Sequence, residues 1–246
     1  MPACPPPVTC SKCHQALPPG SVPSPAEPGA HLGLLDAPTA DGWLVANPAL
    51  RFSSPFCYPA GDSRVEPVDL VGMHYSATPV EPRARELGRL QRWFSGKGRR
   101  SSTHFAALRD GTIVQGLPLG ARAWHIVDGS PHEGRPVNYR SIGIDFMNAG
   151  WLKRDASGVF RDSYGSVYTG PQPVRARDHV GVMQWWEPVT DEQVASVCAL
   201  LARLGHIFPA LTEPDRLIYH SDVQPTRSDP GPSVDRAALA RALRGQ

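Results

Sequence analysis

The sequence predicts an α/β domain built on a single mixed central β-sheet flanked by helices, preceded by a proline-rich, mostly disordered N-terminal tail. Three observations predict it. Apolar runs of strand length alternate with stretches of helical periodicity, a tight Asp110-Gly111 turn separates two strand runs, and prolines crowd the first 67 residues. At 246 residues, 41% hydrophobic and 20% charged, the chain can bury one sizeable core and has the composition of a soluble globular protein.

Residues 1–41, with "CPPPV" and "LPPGSVPSPAEPG", hold few large apolar side chains and read as a tail that cannot build a core. The folded domain is expected over 42–246, opening with "GWLVANPALRF". "VDLVGMHYS" (68–76) is apolar enough for a buried strand ending near His74. "EPRARELGRLQRWF" (81–94) spaces Leu87, Leu90 and Phe94 along one face of an amphipathic helix. "THFAALRDGTIVQGL" gives two short strands around Asp110-Gly111. "SIGIDFMN" (141–148) is a further strand, and 151–186 reads as an insert. "TDEQVASVCALLARLGHIF" opens with a Thr190/Gln193 capping box and repeats apolar residues at 194, 197, 198, 201 and 204, which puts Cys198 in the core. "DRLIYH" (215–220) is a last strand delivering His220 at its end. No internal repeat is read from the sequence.

A net charge of +2 gives no sign of a nucleic-acid surface, and no apolar run of 18 or more residues predicts a membrane span. The N-terminus lacks the charged and apolar regions of a secretory signal, so retention in the cytoplasm is expected, with export by a dedicated route the alternative. Cys4, Cys10, Cys13, Cys57 and Cys198 are odd in number and scattered, which fits a reducing compartment better than a disulfide framework. "CSKCH" (10–14) matches a c-type haem attachment pattern, but its proline-rich context argues against haem. Cys4, Cys10, Cys13 and His14 would suit a tetrahedral zinc ion, yet a tail without metal is the favoured reading.

His74 and His220 each fall at the end of a predicted strand, and Asp229 follows in a loop pinned by Pro225 and Pro230. Two imidazoles and a carboxylate with a fourth position open form the ligand set of a catalytic zinc site. Nine histidines also give many accidental pairs, so on spacing alone ordinary capping or surface histidines remain the alternative.

Five segments occur in one order: "VDLVGMHYSATP", "STHFAALRDGTIVQGLP", "RAWHIVDGS", "NYRSIGIDFMNAG" and "HSDVQPTRSDPGP". Together they resemble the zinc-dependent N-acetylmuramoyl-L-alanine amidases of the amidase-2 family, relatives of the anhydromuramyl-peptide amidases, amidase-type phage lysozymes and peptidoglycan recognition proteins. The likeness runs from about residue 42 to 240. It implies one catalytic zinc ion held by His74, His220 and Asp229. It places Asp145 where the bacterial enzymes carry the catalytic acid, usually a glutamate, and Arg227 where many carry a lysine. The implied reaction is hydrolysis of the amide between the lactyl group of N-acetylmuramic acid and L-alanine, in peptidoglycan or muropeptides. Asp145 would then be general base and acid, and Arg227 would stabilise the oxyanion. The implied partner is that substrate, with no nucleic acid, no membrane span and a monomeric chain.

Both substitutions depart from the common pattern. Aspartate is one methylene shorter than glutamate, and arginine cannot donate a proton. Asp145 read without the family is a strand-end carboxylate that caps backbone groups, and Arg227 a partner for Asp222 or Asp229. His104, Trp124 and His125 are candidates for the substrate groove or for support of the zinc ligands, with packing an equal reading for His104. His132, His179 and His206 read as surface residues. The rival functions are a non-hydrolysing peptidoglycan-binding protein on the same fold, a hydrolase of another acyl-amino-acid bond, and an electron-transfer protein built on "CSKCH".

Overall fold

Strand β1 (Leu70–Tyr75) is buried on both faces, as its near-continuous apolar run predicts, and becomes the middle of the sheet. The structure is a computed structural model describing residues 33–55, 66–97, 101–127 and 131–246. Cys4, Cys10, Cys13, His14 and Cys57 lie outside the described residues. After β1 come α1 (Arg83–Arg92), β2 (Phe105–Ala107), β3 (Ile113–Gln115), the ribbon β4 (Pro131–His132) and β5 (Arg135–Pro136), and β6 (Ser141–Phe146). The insert supplies β7 (Trp151–Arg154), β8 (Phe160–Arg161), β9 (Val174–Arg177) and β10 (Met183–Trp186). Then follow α2 (Asp191–Ile207), β11 (Leu217–Tyr219), α3 (His220–Val223) and α4 (Arg236–Leu243).

The central sheet runs β11-β1-β6-β2-β3, parallel except for the β2–β3 hairpin. Alternation along each strand divides its side chains between two faces. Val71 and Met73 of β1, with Ile142, Ile144 and Phe146 of β6, join the cluster containing Val197, Leu200, Leu201 and Leu204 of α2. Each of those four α2 side chains contributes on the order of 1.5–3 kcal/mol by burial. The other face of β1 presents Gly72 and His74, and in register with them β6 presents Gly143 and Asp145.

Helix α2 begins where predicted. The Thr190 hydroxyl accepts from Gln193 N at 3.1 Å, and Gln193 Oε1 accepts from Thr190 N at 3.2 Å. Gln193 also donates to the carbonyls of Ala107 and Met147, fastening the helix start beyond the ends of β2 and β6. Cys198 is half-buried at the edge of the core rather than inside it. Arg109, half-buried, lies between Glu86 and Glu187 and also donates to the Thr78 carbonyl.

Three expectations are corrected. The fold starts before residue 42: Leu34 is buried and bridges to Val45, so residues 33–41 pack against the domain. His220 opens the short helix α3 instead of ending β11.

The third correction concerns repeats. A pattern Arg-Asp-x-x-Gly occurs three times in the insert, at 154–158, 161–165 and 177–181. Each copy makes the same turn. Oδ1 of Asp155, Asp162 and Asp178 accepts two backbone N–H groups, from Ser157 and Val159, Tyr164 and Ser166, and Val180 and Val182. The preceding arginine reaches the turn glycine's carbonyl in every copy. The glycines have φ of 84° to 86°, the left-handed conformation that closes a type I turn of this kind. These turns organise the insert into a separate four-stranded sheet, β8-β7-β10-β9.

Candidate metal centre and active site

The C-terminal ends of β1 and β6 carry His74 and Asp145 side by side, the end of a parallel sheet where open α/β folds place their ligands. The loop after β11 brings two more groups from the side. Helix α3 starts at His220, and the loop returns so that Ser221 N donates to the Asp229 carbonyl at 3.2 Å. The Tyr75 hydroxyl bonds Ser228 Oγ at 2.8 Å and anchors the loop next to Asp229. From the insert, the Trp186 ring packs against Gly231, and His179 Nε2 donates to the Pro225 carbonyl at 2.8 Å.

His74 Nδ1, His220 Nδ1 and Asp229 Oδ2 converge. The three edges of the triangle are 3.1, 2.9 and 2.8 Å, and all three residues are buried. Their hydrogen bonds on the outer side determine what these atoms are. Ser141 Oγ donates to the Val137 carbonyl, so it accepts from His125 Nε2 at 2.8 Å. His125 Nδ1 therefore carries a lone pair and accepts from His74 Nε2 at 2.8 Å. His220 Nε2 donates to Gln224 Oε1 at 2.6 Å. Both imidazoles thus turn an Nδ1 lone pair toward an ionised carboxylate oxygen.

Three acceptors with no donor among them repel, and a cation between them removes the repulsion. Ligand atoms about 2 Å from a tetrahedral zinc ion stand about 3.3 Å apart, close to the edges found here. The donor set of two imidazoles and one carboxylate, with a fourth direction open to the cavity, fits a catalytic zinc ion. Without metal, a proton plays the cation's part. Burial alone would lower the basicity of His74, but the bond to Asp229 and the charges of Asp145 and Asp229 raise it on balance. Burial alone would likewise raise Asp229, yet the bonds from His220 and His74 hold it well below the usual carboxylate range.

His125 owes its seat to two glycines. A Cβ on Gly72 would lie 2.8 Å from His125 Cε1, and one on Gly143 would lie 2.7 Å from His125 Cγ. Only bare backbone at both in-register positions lets the ring lie on the sheet between Ser141 and His74. Asp145 is buried beside this group. Burial pushes its carboxyl up to about 6, against the pull of His74, and the Thr103 hydroxyl bonds it.

The other candidates separate. Arg227 is exposed and, with Ser101, Trp124, His125, Val127 and His220, lines a cavity of about 400 Å³ that opens onto the site. It pairs with neither aspartate suggested by the sequence. Asp222 is taken by Arg236, and Asp229 by the two histidines. Trp124 is 37% exposed on the cavity wall. His104 does not reach the groove. It is fully buried, with Nδ1 accepting from Gly143 N and Nε2 on the Ala121 carbonyl, so it ties β2 to β6. A second cavity, of about 340 Å³, lies by Arg216, Ile218 and Arg236 at the β11 edge, away from His74, His220, Asp229 and Asp145.

Sequence reasoning missed Gln224, Ser141, Thr103 and the two glycines. Gln224 stands four residues after His220 on one helical face, and "GMH" and "GID" share a glycine two residues before the site residue, so both signals were present in the text.

No curated protein matches the chain significantly. Among solved structures, AmpD superposes with a TM-score of 0.51 at 23% identity, covering 82% of this chain and 97% of that one, which shows a shared fold. AmiD from E. coli, solved with anhydro-N-acetylmuramic acid-L-Ala-D-gamma-Glu-L-Lys, is 20% identical over 73% of this chain and 60% of its own, with a TM-score of 0.48. Drosophila peptidoglycan recognition protein SA is 21% identical over 70% of this chain and 78% of its own, with a TM-score of 0.43. The family description Amidase_2, N-acetylmuramoyl-L-alanine amidase, matches residues 64–232, and the chain belongs to that family.

Proposed function

We propose that the protein hydrolyses the amide between the lactyl group of N-acetylmuramic acid and L-alanine, in peptidoglycan or muropeptides, with one zinc ion held by His74, His220 and Asp229. The convergence of two Nδ1 lone pairs on the Asp229 carboxylate carries this reading. Zinc bound there would supply Lewis acidity, polarising an amide carbonyl and acidifying water.

The protein's own groups do the rest. Asp145 takes a proton from the attacking water and returns it to the departing amine of L-alanine. A carboxyl raised to about 6 suits both tasks, being ionised at neutral pH yet more basic than an ordinary aspartate. Arg227, exposed on the cavity wall, stabilises the oxyanion by charge alone, since a guanidinium does not give up its proton. His125 and Gln224 hold the ligand imidazoles in the required tautomer.

The test is mass-spectrometric analysis of products from a soluble anhydromuramyl peptide and from intact peptidoglycan. The expected result is free L-alanyl peptide, abolished by chelator and by His220→Ala. Zinc bound without release of peptide from either substrate would refute hydrolysis and favour a peptidoglycan-binding role.

A further inference from the structure

One face of the insert's sheet has an unusual composition. Its strands place three cations on it, Arg154, Arg175 and Arg177, and no acid, while Lys153 and Arg161 lie on the other side. The acids between the strands are the turn aspartates, whose Oδ1 atoms are taken by backbone N–H groups. Cross-strand pairing places Arg175 opposite Trp185, Arg154 opposite Phe160, and Arg177 opposite Met183, on one side of the sheet. The side chains form a ladder across all four strands. Arg154 lies over the Phe160 ring at 5.7 Å, Phe160 meets Trp185 edge-on at 5.1 Å, and Arg175 lies over Trp185 at 5.9 Å.

Exposure points the same way. On this face Arg154, Arg175, Arg177 and Met183 are exposed, and Phe160 and Trp185 are half-buried between them. Aromatic rings offer flat faces to sugar rings, and arginine forks suit carboxylates. The three aspartate-locked turns hold the ladder in place before binding, which lowers the ordering cost. The face also adjoins the site, because His179, in the turn between β9 and β10, bonds the Pro225 carbonyl of the loop that carries Arg227.

We propose that this face is a second binding surface for the glycan strand of polymeric peptidoglycan. Sugar rings rest on Phe160 and Trp185, and stem-peptide carboxylates pair with Arg154 and Arg175, away from the bond to be cut. The choice of polymer rests on the amidase reading. The surface itself rests on the ladder.

The test compares the full chain with Arg154→Glu/Arg175→Glu. Binding is measured by cosedimentation with purified insoluble peptidoglycan at 4 °C, over a time in which no peptide is released. Hydrolysis is measured separately on that material and on a soluble single-muramyl peptide. The expected result is an affinity for the insoluble polymer weakened at least tenfold, with its digestion slowed similarly, while turnover of the soluble peptide stays within twofold. Unchanged sedimentation would overturn the proposal, as would equal losses on both substrates. So would a DNA oligomer that binds the face more tightly than peptidoglycan and displaces it. Arginine-dependent sedimentation by a wild-type protein that cuts neither substrate would retain the surface and refute the hydrolase.

Discussion

Gly143→Ala puts one methyl group into the seat of His125. The new Cβ would stand 2.7 Å from His125 Cγ, 3.0 Å from its Nδ1 and 3.0 Å from Thr103 Oγ1, with β1 and β2 pairing on either side of β6. The strand cannot move away, so the ring must tilt. Overpacking of this kind costs about 1–3 kcal/mol, and a domain of this size loses about 2–4 °C in Tm per kcal/mol. Tilting His125 removes the acceptor from His74 Nε2, and loss of such support typically weakens metal binding by about 10–100-fold. The assay is a double-mutant cycle read by thermal melting and by zinc titration. In a His125→Ala background the methyl has room, so Gly143→Ala should cost little stability and no further zinc affinity. A Gly143→Ala protein that binds zinc as the wild type does, or a full cost that persists without His125, would refute the reasoning.

Two further outcomes are expected. His179→Ala removes the donor to the exposed Pro225 carbonyl, and kcat should fall severalfold with less than about 1 kcal/mol lost in stability, while His179→Gln restores part of the rate; unchanged kinetics would show that the insert does not position the loop. Asp145, raised from 3.8 to about 6, binds more protons in the folded state between those values, so its contribution to stability is present below about 4 and is lost as pH rises to about 6. Urea unfolding of the metal-free protein across that window should show a downward slope with pH that Asp145→Asn reduces, and an equal slope in both proteins would contradict the raised value.

Much of the site was legible because its residues sit in compact local signals. His74 ends an apolar run, His220 follows one, and Asp229 lies between prolines. What could not be read was anything that depends on register. The role of His125 needs Gly72 and Gly143 opposite one another, which follows only once β1 and β6 are known to pair in parallel. His104 sits in a hairpin whose outer or inner face a sequence does not declare, and the structure turns it inward. Arg227 was offered two aspartates by proximity in sequence, but helix α4 supplies Arg236 to one and the histidines claim the other. The start of the fold was set too late because a single buried leucine, Leu34, gives no periodicity to read. The triple turn, by contrast, is written plainly as "RDASG", "RDSYG" and "RDHVG", at uneven spacing along the insert.

Each of those turns is closed by its own aspartate and its own arginine, but the first two are also tied together, because Arg161 of the second donates to Asp155 Oδ2 of the first at 3.1 Å. Altering either of those two turns loosens the other, whereas the turn at Asp178 between β9 and β10 is fastened apart from them. The insert thus has two kinds of fastening, a linked pair of turns far along the strands and a single turn whose His179 reaches out to the loop beside the metal site.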